Sequence, residues 1–384
     1  MSYQFYPLTV DYLHKETEDS VIIGFDTNAA ANFKFVAGQN ITIKLFHEGE
    51  ELRRTYSICT SPSEGRLQIG VRAIKDGIFS HFALNKLKVG DVLEVMPPIG
   101  NFVVNNKEAA SGQFVFFATG SGITPVISMI KEKLESDPNA QCLLFYSNKN
   151  IGSMMFRDEL DGLKNKNLTR LQVVNIFSRE QLDNELFYGR MSSQKCNSLI
   201  DLFINEPKLA QYFICGPEDL TLVIKDLLLK TYGIPAPQVH FELFHTGAIK
   251  VVEQAAVSTT GLAKVTVRLD GKETTFDLAY DKQSILDAGI KNGLDLPYAC
   301  KGGVCSTCKA HLGRGKVHMD LNYSLEEDEL QDGFILTCQS HPREESFIEC
   351  IITSFDRDKT SVSVAFQQEY SPYVHCEFPS FHQL

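Results

Sequence analysis

At 384 residues the chain is too long for one ordinary core and suggests two or three domains. Its 43% hydrophobic and 22% charged content is that of a globular protein, and a formal charge of −11 argues against the basic face a nucleic-acid binder needs. No run approaches the roughly 18–20 apolar residues of a membrane span, and MSYQFYPLTVDYLHKE lacks the basic start and apolar centre of a signal peptide, so a soluble, cytoplasmic protein is expected.

From about residue 5 to 104 the pattern is one of short strands. Val21-Ile22-Ile23-Gly24-Phe25, Ile41-Thr42-Ile43-Lys44-Leu45 and Val92-Leu93-Glu94-Val95 are separated by Gly, Pro and Asn turn residues. Such spacing predicts a small antiparallel β-barrel. Arg53-Arg54-Thr55-Tyr56-Ser57-Ile58 follows a predicted strand, and Val71-Arg72 and Gly77-Ile78-Phe79-Ser80 come after it. Alone, an R-x-Y-S string reads as a surface ion pair at Arg54 and a core ring at Tyr56. The order and spacing of the three segments point beyond packing.

From about 112 to 244 strand and helix alternate. Phe114-Val115-Phe116-Phe117-Ala118 is a buried strand, the Gly-rich turn Thr119-Gly120-Ser121-Gly122-Ile123-Thr124-Pro125 follows, and 126–134 is amphipathic. Strand-like segments recur at 142–146, 171–177 and 212–215, which predicts a doubly wound parallel sheet. The turn is G-x-G-x-x-P and not the dinucleotide fingerprint G-x-G-x-x-G. Its glycines still let amides approach a diphosphate, a helix N-terminus favours that charge, and Pro125 suits the first helical turn. Cys215-Gly216-Pro217 closes a later strand, where a cysteine also reads as core filling. Ser178-Arg179 follows another strand and suits the 2′-phosphate of NADPH, while the adjacent Glu180 keeps NADH open. His240-Phe241-Glu242-Leu243-Phe244 ends the block, and as a plain edge strand it would simply expose Glu242.

Residues 247–261 read as a linker, 264–269 with 274–278 as a hairpin, and 284–291 as a short helix. Beyond it stands Cys300-Lys-Gly-Gly-Val-Cys305-Ser-Thr-Cys308, with twenty-nine residues before Cys338. This C-x₄-C-x₂-C…C spacing is that of a plant-type [2Fe–2S] cluster, whose potential is expected near about −400 mV. Four thiolates and two sulfides leave the cluster negative, so amides must come close, and Gly302 and Gly303 leave room for them. The alternative, a structural zinc site, usually presents two paired C-x₂-C knuckles. Cys59, Cys142, Cys196, Cys350 and Cys376 are scattered and do not read as a disulfide framework; Cys350 and Cys376 read as packing residues. The stretch after Asp356 could add one strand and carries no assigned role.

The strings RRTYSI, TGSGITP, CGP and PYACKGGVCSTC, in that order, resemble the ferredoxin–NADP reductase superfamily in its form with a C-terminal ferredoxin. Within it they resemble the reductase subunits of ring-1,2-phenylacetyl-CoA epoxidase complexes. The resemblance implies a flavin-binding β-barrel over 1–106, an NAD(P)-binding α/β domain over 107–246, and a β-grasp-like α+β ferredoxin domain over 262–356, with 357–384 as a tail. It implies FAD, with FMN as the alternative flavin. Arg54 would meet the diphosphate, and Tyr56 and Ser57 the isoalloxazine. Gly77 and Ser80 would offer donors to phosphate, and Ile58, Val71, Arg72, Ile78 and Phe79 complete the set. Thr119, Gly120, Gly122, Ile123, Thr124 and Pro125 would hold the nucleotide. Cys215, Gly216 and Pro217 would lie beside the nicotinamide and Glu242 near the flavin, which makes Ser57, Cys215 and Glu242 the hydride-transfer site. Cys300, Cys305, Cys308 and Cys338 would bind the cluster. NADPH would give a hydride to the flavin, and the cluster would carry single electrons to a multisubunit diiron oxygenase or another one-electron acceptor protein. Fatty-acid desaturases and aromatic-ring hydroxylases are the rival recipients, and a non-catalytic redox sensor is the reading from another class.

Overall fold

The computed structural model describes residues 4–28, 31–104, 112–244, 261–269, 271–280, 283–325, 327–343 and 348–352. The expected linker apart from Gly261, the tail with Cys376, and the side chain of Cys350 lie outside the described residues. The chain divides into two compact units, one of Phe5–Ala248 and one of Met1–Gln4 with Ile249–Leu384.

The first unit begins with six antiparallel strands: β1 (Tyr6–Thr17), β2 (Ser20–Phe25), β3 (Asn40–His47), β4 (Glu50–Ser57), β5 (Leu67–Arg72) and β6 (Val92–Ile99). Their order is β4-β3-β6-β1-β2-β5. A bridge between Ile58 and Ile69, with the Cys59 amide donating to the Gln68 carbonyl at 2.9 Å, joins the two ends of the sheet and closes the barrel. The two-residue period of a strand sends Ile41 and Ile43 into the barrel core with Val10, Ile23, Ile69, Val71 and Val95. On the opposite side of β3, Asn40 and Thr42 are also buried. Helix α1 (Ile78–Asn85) adds Phe79 and Ala83 to the same core.

The same unit continues into a parallel sheet of β7 (Gln113–Thr119), β8 (Gln141–Asn148), β9 (Leu171–Phe177), β10 (Gln211–Gly216) and β11 (Val239–Leu243), ordered β11-β10-β7-β8-β9. Its helices are α2 (Ile123–Ser136), α3 (Arg157–Lys166), α4 (Ser193–Phe203) and α5 (Glu218–Asp226). The continuous apolar run of β7 is buried on both faces, as a central parallel strand requires. Phe114, Phe116 and Ala118 join the core under α2, and Val115 and Phe117 join the one under α4 and α5. The chain runs outward from β7 to β8 and β9, then returns to place β10 on the other side of β7. That reversal is a topological switch point, and the crevice beyond the carboxyl ends of β7 and β10 is where such sheets bind ligands.

Barrel and parallel sheet share one apolar core, in which Ile22, Ala37, Cys59 and Phe102 pack with Ile127, Met129 and Ile130 of α2. A charged staple sits beside it: Lys131, 9% exposed, reaches Glu64 at 2.9 Å and Glu159 at 2.8 Å.

The second unit is α+β. A mixed sheet of β12 (Leu262–Leu269), β13 (Lys272–Ala279), β14 (Lys309–Arg314), β16 (Phe334–Leu336) and β18 (Ile348–Ile352) runs β13-β12-β18-β14-β16, with β12 and β18 parallel. β15 (Val317–Met319) pairs with β17 (Ser340–Pro342). Helix α6 (Ile285–Lys291), capped by Ser284, lays Ile285 and Leu286 on the sheet, and α7 (Glu327–Gln331) is a single short turn. Among the described residues no helix is long and apolar enough to cross a membrane.

Candidate functional site

The switch point brings together three residues far apart in the chain. Ser57 ends β4, Cys215 lies near the end of β10, and Glu242 is its register partner on β11. Ser57 Oγ donates to Glu242 Oε2 at 3.1 Å, and Cys215 Sγ lies 4.0 Å from the same oxygen. Burial pushes the Glu242 carboxyl up to about 7, against hydrogen bonds from Ser57 and Asn40 that favour the charged form. Burial and the neighbouring Glu242 push the Cys215 thiol well above its ordinary value, so it stays protonated. The three residues therefore form one proton-bearing cluster, held by a barrel strand on one side and two sheet strands on the other.

The nucleotide turn is fitted against this cluster. A Cβ at Gly122 would lie 2.2 Å from the Cys215 carbonyl oxygen and 2.6 Å from its carbon, so only glycine lets the turn lie flat on the end of β10. A Cβ at Gly216 would come 3.0 Å from Cβ of Thr119, which shows the same close fit from the other side. Tyr146 Oη donates to the Gly120 carbonyl at 3.1 Å and braces the turn from below. Ile123, Thr124 and Pro125 are buried at the start of α2, where they pack; the Ile123 amide already donates to the Gly120 and Ser121 carbonyls, and Pro125 has no amide proton.

Around the barrel mouth the expected flavin residues divide. Arg54 is exposed, donates to the neighbouring Arg53 carbonyl at 2.8 Å, and has no carboxylate partner among the described residues, so its guanidinium suits a diphosphate. Tyr56 packs on Phe79 at 5.3 Å between ring centres, and burial raises its hydroxyl pKa. Gly77 caps α1 without a side-chain hydrogen bond, which leaves the amides of Ile78 and Phe79 for an anion. The Ser80 hydroxyl donates to the Gly77 carbonyl at 3.1 Å and so shapes the turn. Arg72 pairs with Asp19 at 3.2 Å and donates to the Ser153 carbonyl, tying barrel to parallel sheet. Ile58 and Val71 are fully buried in the barrel core, where a cofactor could meet only their backbone.

Ser178 and Arg179 follow β9, with their amides bonded to the carbonyls of Asn148 and Lys149 at 2.9 and 2.8 Å. Glu180 accepts the Ile151 amide at 2.7 Å and is thereby turned to a structural task.

In the second unit the cysteine loop adopts left-handed backbone at Lys301 (φ 52°), Gly303 (φ 73°) and Ser306 (φ 52°). A Cβ at Gly303 would lie 2.9 Å from the Leu321 carbonyl oxygen. These turns curl the loop so that the Gly302 amide donates to Cys300 Sγ at 3.2 Å. The Cys305 thiol and the amides of Gly302, Val304 and Cys305 pull the Cys300 thiol down to about 6. The four thiols meet as two pairs, Cys300 with Cys305 and Cys308 with Cys338. Among the described residues no three His, Cys, Asp or Glu side chains are grouped to hold one metal ion. Cys305 also lies near Cys308, so the pairs adjoin, an arrangement that suits the two irons of a [2Fe–2S] cluster.

Three family models match the chain in the order of these folds: an oxidoreductase FAD-binding domain over 7–104, an oxidoreductase NAD-binding domain over 116–226, and a 2Fe-2S iron-sulfur cluster binding domain over 267–343. A component of the 1,2-phenylacetyl-CoA epoxidase of Escherichia coli (strain K12) is 43% identical over 340 residues, which cover 88% of this chain and 95% of that one. The chain belongs to the flavin- and iron–sulfur-dependent oxygenase reductases. The ferredoxin reductase component of 3-ketosteroid-9-alpha-monooxygenase from Mycobacterium tuberculosis (strain H37Rv) is 32% identical over 82% of this reductase and 84% of its own length. Phthalate dioxygenase reductase shares the fold, with a TM-score of 0.56, 23% identity, and coverage of 91% of this reductase and 98% of that chain. The reductase is an oxidoreductase that uses FAD, a pyridine nucleotide and a [2Fe–2S] cluster.

Sequence reading missed two residues of the site. Asn40 opens β3 opposite Ser57, is 2% exposed, and donates to Glu242, while its Oδ1 has no partner among the described residues. Its one signal is a polar residue at the head of an apolar strand. Tyr146 gave none, because a tyrosine within an apolar run reads as core.

Proposed function

We propose that this reductase draws a hydride from NADPH at the switch-point crevice and feeds single electrons from its [2Fe–2S] domain to a diiron oxygenase acting on phenylacetyl-CoA. The observation that carries the hydride site is the meeting of Ser57, Cys215 and Glu242 across the barrel and the parallel sheet. FAD, when bound, accepts two electrons as hydride and passes them on one at a time. The protein's own groups do the rest. Gly122 and Gly216 let the nucleotide turn close on β10. Ser57 Oγ–H holds the Glu242 carboxylate, and Glu242, with a pKa of about 7, takes or gives a proton at Oε2 near neutral pH. Cys215 keeps its proton and presents a neutral, polarisable wall. Arg54 would hold the flavin diphosphate and Cys300, Cys305, Cys308 and Cys338 the cluster.

Ser178 and Arg179 would take the 2′-phosphate. The engagement of Glu180 by the Ile151 amide supports this, because one oxygen of that carboxylate is committed to backbone and less available to the ribose 2′-hydroxyl that an NADH site would hold. Buried free thiols at Cys59, Cys142, Cys196 and Cys215 suit a reducing, cytoplasmic setting. The likeness to the E. coli epoxidase component supports the phenylacetyl-CoA epoxidase as the recipient.

The test uses extract from a strain lacking only this protein, supplied with phenylacetyl-CoA and NADPH, with oxygen uptake followed as pure protein is added. Substrate-dependent uptake restored by the protein is expected. Brisk ferricyanide reduction without restored uptake would keep the reductase and remove this recipient.

A further inference from the structure

The residue directly after the fourth cluster ligand is placed against that ligand's sulfur. Gln339 is 6% exposed, and its Nε2 donates to the Lys301 carbonyl at 2.8 Å, to the Cys338 carbonyl at 3.1 Å and to Cys338 Sγ at 3.7 Å. A primary amide has two N–H bonds. One is committed to Lys301, in the turn that begins the cysteine loop, and the other is shared between the carbonyl and the thiol of Cys338. Gly303 makes room for this arrangement: a Cβ there would come 3.3 Å from Gln339 Cγ.

The backbone at this point is anchored without the side chain. The Gln339 amide donates to the Leu336 carbonyl at 2.9 Å, and the Asp320 amide donates to the Gln339 carbonyl at 3.0 Å. Both the amide and the hydroxyl of Thr337 donate to the Cys308 carbonyl, at 3.0 and 3.1 Å, so Cys308 and Cys338 are held together by other bonds. The second N–H of the Gln339 side chain therefore acts electrically on a cage whose backbone is also held by other bonds.

We propose that Gln339 is a redox-tuning residue, whose buried side-chain amide donates to the Cys338 thiolate of the bound cluster and raises the cluster's reduction potential. The inference rests on the [2Fe–2S] assignment above. Reduction adds one electron and therefore one negative charge to the cluster. The electron comes from the flavin in turnover and from dithionite in a titration, and no bond to Gln339 forms or breaks. A fixed N–H dipole favours the more negative, reduced state. It does so strongly here because the site excludes water and the charge is not screened.

The test compares the full-length holoprotein with Gln339→Leu and Gln339→Glu in a dye-mediated redox titration, followed by the low-temperature EPR signal of the reduced cluster, with iron content measured alongside. For Gln339→Leu the reduced-to-oxidised ratio at a fixed potential should fall about three- to tenfold, the differential share of one charge-assisted hydrogen bond, where a decade is 59 mV for one electron. Gln339→Glu keeps the length, removes both donors and adds negative charge, so its ratio should fall further. Two iron-loaded variants that both titrate with the parent would overturn the proposal, as would failure of both to load iron, since Gln339 would then only hold the cage. Absence of the EPR signal in the parent would instead overturn the cluster assignment.

Discussion

Replacing Gly122 by alanine tests the switch-point geometry at its tightest contact. Gly122 has φ −60°, which any residue adopts, so the cost lies in contact and not in backbone conformation. The new Cβ would stand 2.2 Å from the Cys215 carbonyl oxygen, 2.6 Å from its carbon and 3.0 Å from the Gly216 nitrogen. Packed carbon needs roughly 3.5 Å, so the turn and the end of β10 must part by about 1 Å. All three neighbours are backbone atoms of a central strand and cannot swing aside. A displacement of about 1 Å between reacting groups costs on the order of 10²-fold in rate. The assay is anaerobic stopped-flow bleaching of the flavin on mixing with NADPH. Flavin content should hold, because the turn is not part of the barrel. The cluster signal should hold too, because that unit packs around its own core. A rate within about threefold of the parent, with flavin fully bound, would refute the view that this contact positions the nicotinamide. Gly162→Ala, in α3 with nothing within 4 Å, is the matched neutral control.

Glu242→Gln should change how stability depends on pH. The folded pKa of about 7 lies above the ordinary 4.5, so the native state binds the proton more tightly. Stability from this group is fully present below pH 4.5 and lost as pH rises through about 7. Because the residue is partly exposed, the loss is about 2 kcal/mol, and urea unfolding at pH 5 and pH 8 should show the variant losing that much less than the parent. Lys131→Met should cost about 2–4 kcal/mol in urea unfolding, since it strands Glu64 and Glu159. Adding Glu64→Gln and Glu159→Gln should recover most of that loss. Cys308→Ser should abolish the EPR signal of the cluster while NADPH-driven ferricyanide reduction persists, and loss of both activities would refute a path that runs through the flavin first.

Much of this was legible in the chain because its signals are local. The apolar run at 114–118, the turn at 119–125 and the cysteine spacing each report on a few neighbouring residues, and each appears where the spacing predicts: β7, the start of α2 and the curled loop at 300–308. The contacts of Arg72 and Ser80 were not legible because their partners are tertiary. Asp19 and the Ser153 carbonyl hold the first, and the folded turn at Gly77 holds the second. Asn40 and Gln339 escaped notice because a single amide carries no periodicity.

Spacing along one strand or loop was enough to give the kinds of element, the glycines where backbone must come close, and the C-x₄-C-x₂-C…C pattern. Where the carboxylate of Glu242 sits, and how tightly it holds its proton, follow from packing between distant segments. It lies 185 residues from Ser57 in the chain, and its proton is set by burial and by two donors on barrel strands. Burial and through-space hydrogen bonds arise when distant segments pack, and no local pattern records them.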